Sequence, residues 1–266
     1  MQKKSIKSLK GETIHATDGD IGHVDDFLFD DENWAIRYLV VDTGKWIPGR
    51  RVLISPASLR SKQAVDELRT SLSKEQVKNS PDIYTDLPVS RQREAEYLNY
   101  YGFPYYWRGP GLWGTTAYPF YPGVSRPVEY PDRISSSAGS VAVPKFERLP
   151  EAEDTHLRSA AEVIGYYIEA TDGEIGHVED FIVEDENWVI RYMIVDTVNW
   201  WPGKKVVVSP EWITGVSWPN SRVSVNLSRE KIKNAPEYDQ RTVVSRPYED
   251  RLYEYYSRPK YWEPRL

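Results

Sequence analysis

Short apolar runs separated by turn residues fill positions 12–54, and their spacing fits β-strands better than helices. Glu12 to Thr17 runs into Asp18-Gly19, where glycine tolerates the positive φ of a tight hairpin and aspartate can bond the backbone ahead. In Ile21 to Phe29 the apolar positions Ile21, Val24, Phe27 and Phe29 break period two between Val24 and Phe27. This predicts a bulge near Asp25-Asp26 and a sharply bent strand. After the turn Asp31-Glu32-Asn33, the stretch Trp34 to Asp42 places Trp34, Ile36, Tyr38 and Val40 on one face and Arg37 on the other. Arg51 to Ile54 reads as a fourth strand.

Helical signals come next. Ser73 with Gln76 spells a capping box ahead of a short helix that ends before Pro81. A second helix is predicted from Arg91 to Tyr101, between Ser90 as N-cap and Gly102 as stop.

The whole pattern then repeats. The segment from Ala16 to Thr43 recurs without a gap from Ala170 to Thr197, and Trp46, Pro48, Gly49, Val52, Ser55 and Pro56 return as Trp200, Pro202, Gly203, Val206, Ser209 and Pro210. The match then slips by one residue, so that Leu72, Ser73 and Pro81 answer to Leu227, Ser228 and Pro236. Trp212 to Trp218 and Arg222 to Leu227 predict a final hairpin in the second copy, and the helix after Ser245 spans Arg246 to Tyr256. Each copy closes on an aromatic tail: Tyr100, Tyr101, Pro104, Tyr106 and Trp107 return as Tyr255, Tyr256, Pro259, Tyr261 and Trp262.

The expected fold is mainly β, with two tandem small bent antiparallel barrels, each followed by short helices and an aromatic tail. The expected units are residues 1–107 and 156–266, joined by a linker over 108–155 rich in Pro, Gly, Ser and aromatics. The aromatic first half of that linker is too sticky for a spacer and suits a position on a barrel surface.

The run A-T-D-G-x-I-G-H-V-x-D-F, then W-x-I-R-Y-x-x-V-D-T, then a V-x-x-S-P strand end, resembles the PRC-barrel domain, over about Ile6 to Pro81 and again over Ala160 to Pro236. That family is named for the cytoplasmic domain of the photosynthetic reaction-centre H subunit, and a similar domain ends a bacterial ribosome-maturation factor. The resemblance implies a bent barrel used as a docking surface, with no catalytic residues to carry over. The H subunit's transmembrane helix and the ribosome factor's preceding RNA-associated barrel have no counterpart in the sequence, so neither specific role transfers.

Composition narrows the chemistry. Among 266 residues there is no cysteine, which removes disulfides, thiolate metal sites and cysteine nucleophiles together. With 34 basic against 40 acidic residues the net charge is -6, so the global field repels phosphate backbones and nucleic acid is a poor partner. No apolar run approaches the roughly 18 residues of a membrane span, and the start MQKKSIKSLK has no apolar signal core, which makes the cytoplasm the default location.

His23 and His177 hold equivalent positions, but no second histidine stands at ligand spacing; both read as strand histidines bonded to a carboxylate or backbone. Asp18-Gly19-Asp20 fails the calcium-loop template. Gly109, Gly111 and Gly114 spell G-x-G-x-x-G without the strand and helix that a pyrophosphate cradle needs, and Pro110 removes an N–H. No enzyme, metal or cofactor is expected.

The candidate partner-binding residues are the tails, Tyr100, Tyr101, Tyr106, Trp107, Tyr255, Tyr256, Tyr261 and Trp262, and the acidic run Asp25, Asp26, Asp30, Asp31 and Glu32, which suits a basic partner. The tails have a second role open to them, packing on a barrel in the free protein. The expected function is a non-enzymatic adaptor binding a protein partner. Peripheral association with a photosynthetic or other membrane complex, and ribosome maturation or RNA processing, are the alternatives; self-association is compatible with each.

Overall fold

The computed structural model describes residues 2–60, 67–81, 89–119, 156–197, 203–239 and 244–263. In the first half, β1 (Lys3–Ser5) leads into the one-turn helix α1 (Ile6–Leu9), followed by β2 (Thr13–Ala16), β3 (Gly19–Asp30), β4 (Ala35–Asp42), β5 (Arg51–Ile54), β6 (Leu68–Arg69), α2 (Lys74–Lys78) and α3 (Arg91–Tyr101). The second half repeats the series as β7 (Leu157–Ser159), α4 (Ala160–Val163), β8 (Tyr167–Ala170), β9 (Gly173–Glu184), β10 (Ile190–Asp196) and β11 (Lys205–Val208). It then adds the hairpin β12 (Ile213–Ser217) and β13 (Arg222–Val225), and ends on α5 (Arg229–Lys233) and α6 (Arg246–Tyr256). No described helix is long and apolar enough to cross a membrane.

The chain is mainly β, in two sheets with matching strand order: β5-β4-β3-β2-β6 in the first and β11-β10-β9-β8-β13-β12 in the second. Two features correct the expected all-antiparallel barrels. The pairs β2–β6 and β8–β13 are parallel, and neither hydrogen-bonded path closes on itself among the described residues. The parallel step follows from connectivity, because each half leaves β5 or β11 through a 3-10 turn and returns to the far edge of the sheet. In the first copy that return crosses residues 61–66, outside the described set.

The expected bulge is present: Val24 pairs with Val41 and Asp26 with Val40, leaving Asp25 as the extra residue. A second bulge, not expected, lies on β4, where Ile36 faces Phe29 and Tyr38 faces Leu28, so Arg37 is skipped. Both recur, at Glu179 and Arg191. Bending also brings β3 against the end of β4 so closely that a Cβ on Gly22 would lie 2.0 Å from the carbonyl oxygen of Asp42; Gly176 meets Asp196 in the same way.

The first strand of each half belongs to the other half's sheet. β1 pairs with the end of β9, Lys3 opposite Glu184, and β7 pairs with the end of β3, Leu157 opposite Asp30. The reason is an edge. β2 covers only the first part of the 12-residue β3, so the last residues of that edge would be left with unpaired backbone groups. The exchanged strand covers them. The halves are further joined where Ala35 bridges Val189, with Ile36 N donating to Trp188 O (2.8 Å) and Ile190 N to Trp34 O (2.7 Å). The core runs through both sheets, and the expected inward residues Trp34, Ile36, Tyr38, Val40, Trp188, Ile190, Tyr192 and Ile194 are all buried.

The helices follow their caps. Ser73 and Gln76 form the capping box on α2, with Gln76 N donating to Ser73 Oγ and Ser73 N to Gln76 Oε1. Ser73→Ala should therefore lower the free energy of unfolding by about 1 kcal/mol in urea titrations, and a loss below about 0.3 kcal/mol would show that solvent replaces the cap. Ser90 caps α3 as expected, and Gly102 ends it in the left-handed region; Ser245, before α6, makes no side-chain cap bond.

Candidate functional site

Behind each tail lies a buried carboxylate. Glu94 on α3 accepts from Tyr38 Oη (3.0 Å) and Tyr106 Oη (2.6 Å), with His156 Nε2 2.6 Å and Arg91 Nη1 3.6 Å away. Glu249 on α6 repeats the arrangement with Tyr192 Oη (2.8 Å), Tyr261 Oη (3.0 Å), Arg246 Nη1 (3.0 Å) and Lys3 Nζ (3.1 Å). Burial, reinforced by the charge of Glu94, holds the Tyr38 and Tyr106 phenols well above their ordinary pKa, so both remain donors; burial does the same for Tyr192 and Tyr261. One of the two basic groups in each cluster, His156 or Lys3, rides on the exchanged N-terminal arm of the other half.

The tails dock on their own halves. Tyr101, Tyr106 and Tyr256 are buried, and Tyr100, Trp107, Tyr255, Tyr261 and Trp262 are partly buried. Tyr100 Oη and Tyr255 Oη each donate to a carbonyl of the preceding short helix, Gln76 O and Lys231 O, at 2.9 Å. Arg91 and Arg246 lie over the indoles of Trp107 and Trp262. The tails thus take the packing role open to them: their rings complete the two cores, because a small sheet leaves one face that only bulky side chains can cover.

The acidic run is likewise engaged within the chain. Asp30 is buried and accepts from Arg37 Nε at 2.6 Å. Asp26 accepts from Ser159 Oγ (2.5 Å) and Ala161 N (2.9 Å), and Asp31 from Arg158 Nε (2.9 Å), all on the arm of the second half. Asp25 pairs with Arg51 and Lys10, which leaves Glu32 exposed at the turn. The expected negative patch is therefore mostly a latch for the exchanged arm.

Asp180 holds the first half's arm in the same manner through Ser5 Oγ and Lys7 N. Burial raises the pKa of both Asp26 and Asp180 above 3.8. A carboxyl with a raised folded pKa binds its proton more tightly when folded, so its contribution to stability is full below the unfolded pKa and is lost as pH rises through the folded one. A D26N/D180N chain should lose that part of the slope in urea unfolding at stepped acidic pH; an unchanged slope would contradict the assignment.

His177, Glu179 and Asp196 place one ligand atom each within 4.8 Å of one another, the one such grouping among the described residues. Glu179 already accepts from Lys7 Nζ (2.7 Å) and Lys205 Nζ (3.2 Å), which hold its pKa down, so a metal ion would compete with two ammonium groups. His23 is bonded to Thr13 across the hairpin.

A groove of about 500 Å³ lies open between the halves. It is walled by Asn33 and Trp34 of the first half and by Arg191, Glu211, Gly215 and Tyr261 of the second. Its counterpart in the first half is occupied. There Arg37 Nη1 donates to Leu112 O (2.8 Å), Trp113 lies 4.6 Å from the same guanidinium, and Trp113 Nε1 donates to Asn187 O (2.9 Å). The space left beside that indole is about 10 Å³. The G-x-G-x-x-G run makes the loop that delivers it: a Cβ on Gly111 would come within 2.4 Å of Thr116 O, and one on Gly109 within 2.6 Å of Gly114 O.

Residues 1–71 match the PRC-barrel domain. The PRC-barrel segment takes in β1 to β6, the acidic latch and Arg37; the second half is tied to it by the internal repeat and the matching sheet order. Comparison with curated proteins finds no match.

Sequence reading did not single out Glu94, Glu249 or Trp113 and treated Arg37 only as an outward strand residue. The signal for three of these is present: R-x-x-E opens both long helices, and the arginine of W-x-I-R-Y is kept in both copies, a buried-pair signature that period two concealed.

Proposed function

We propose that the chain is a tandem pair of PRC-type barrels acting as a non-enzymatic adaptor, and that the open groove of the second half is where it holds a protein partner. The observation that carries this reading is the inequality of two halves that share their strand order from β5 to β6 and from β11 to β13. One groove is filled by the chain's own residues 112–119, while the other stands open beside an aromatic ring and a guanidinium. Such a lining suits an extended peptide, since it combines apolar faces with backbone-directed donors and acceptors.

The test uses Gly215, which is exposed on β12 and has nothing within 4 Å of an added Cβ. A Gly215→Arg chain should fold normally with its groove obstructed. Proteins captured from extract by the wild-type chain should include at least one that the variant does not retain, with unchanged circular dichroism and Tm. Identical capture by the two chains would remove the groove from the function.

A further inference from the structure

The two halves are related residue by residue, so the occupied groove specifies the chemistry of the open one. In the first half Arg37 is 1% exposed beneath Trp113; its counterpart Arg191 is 19% exposed. Asn187, whose carbonyl accepts the indole N–H, is buried, whereas its counterpart Asn33 is exposed, and Tyr106 is buried where Tyr261 is only partly so. Arg191 spends Nε and Nη2 on Glu184 and has Tyr261 over its guanidinium plane, and its Nη1 donates to no described residue. The carbonyl of Asn33 accepts from none. Arg37, Tyr106 and Asn187, which hold Leu112 and Trp113, thus have equivalents in Arg191, Tyr261 and Asn33 that line the open groove.

We propose that this groove binds a glycine-rich segment of a partner protein presenting an apolar residue followed by tryptophan, held as the chain holds its own Leu112-Trp113. This rests on the adaptor reading and adds the ligand class to it. Arg191 Nη1 would donate to the carbonyl preceding the tryptophan, the indole N–H would donate to Asn33 O, and the ring would lie against Tyr261 and the guanidinium. The glycines let the segment turn tightly on itself, since a Cβ on Gly109 or Gly111 would strike the loop's own backbone, and that turn presents the Leu112 carbonyl to Arg37. Tryptophan is preferred to phenylalanine, which has no N–H for Asn33. A second copy is the weaker occupant, because Trp113 of each chain is already docked, with its indole N–H bonded to Asn187.

The probe is a dye-labelled peptide of the chain's own residues 109–118, GPGLWGTTAY, titrated with the intact protein by fluorescence anisotropy. Saturable binding is expected, weakened by about tenfold or more when the peptide's tryptophan becomes alanine and again when the protein carries Gly215→Arg. The peptide substitution keeps the test informative even if the protein variant is unstable. No saturation by about 1 mM, or equal binding of the alanine peptide, would overturn the proposal. So would a wild-type dimer in sedimentation velocity that the Gly215→Arg substitution converts to monomer, since the occupant would then be a second copy. If the groove variant loses a captured protein while the peptide fails to bind, the adaptor reading stands and the tryptophan assignment falls.

Discussion

Replacing Trp34 with alanine should lower the free energy of unfolding by about 3–5 kcal/mol, the range for a buried large aromatic truncated in place. Trp34 stands where the halves meet. Its ring stacks on Phe29 at 5.0 Å between centroids and lies 6.3 Å from Phe181 of the second half, while its carbonyl accepts from Ile190 N. It also holds a positive φ of 54°, as Trp188 does at 60°, a conformation that bulky residues adopt only when their surroundings fix it. The cavity left by the indole would open on both cores at once. Equilibrium unfolding in guanidinium, followed by far-UV circular dichroism, should therefore show one transition displaced as a whole. A loss below about 1 kcal/mol would place the ring outside the shared core.

A comparable loss, about 3–5 kcal/mol, is expected for Glu249→Ala, because it strips the carboxylate from a buried cluster and leaves the cations behind. Lys3 Nζ, with a side chain only 4% exposed, would lose its partner, as would the hydroxyls of Tyr192 and Tyr261. Glu249→Gln keeps an acceptor for the phenols and should cost less. Lys3→Met removes the buried cation instead, leaving Glu249 with Arg246 and two hydroxyls, and should also cost less than Glu249→Ala. The comparison separates charge pairing from packing. Equal losses for all three substitutions in urea titrations would show that the cluster is held by shape alone. Because Lys3 arrives on the exchanged arm, Glu249→Ala should also raise amide exchange in residues 3–5, which pair with β9.

Much of the local structure was legible from residue order. The hairpin at Asp18-Gly19, the bulge beside Asp25, the strand Arg51–Ile54, the capping box at Ser73 and both helices of the tails stand where side-chain periodicity and cap chemistry put them. Such features depend on contacts between residues a few positions apart, and the duplication displays each of them twice. The second bulge was hidden by the same logic. In Trp34 to Asp42 period two sets Arg37 on the face opposite Trp34, Ile36, Tyr38 and Val40, and only pairing with β3 shows that Arg37 is skipped and turned toward the tail. An arginine in a strand is ordinarily read as outward, and here a bulge, Asp30 and two aromatic rings reverse that.

The sequence by itself determined the repeat, the strand-rich halves, the helices with their caps, and the aromatic character of the tails. The tertiary structure alone decided where those pieces are used. It sends the first strand of each half to the other's sheet, turns the acidic run from a surface patch into a latch, and fills one of two matched grooves with the chain's own tryptophan. None of these follows from periodicity, since a strand's apolar pattern says which face is buried but not whose edge it will pair with. That choice is made by the edges left open when a short strand covers only part of a long one, a property of the assembled sheets.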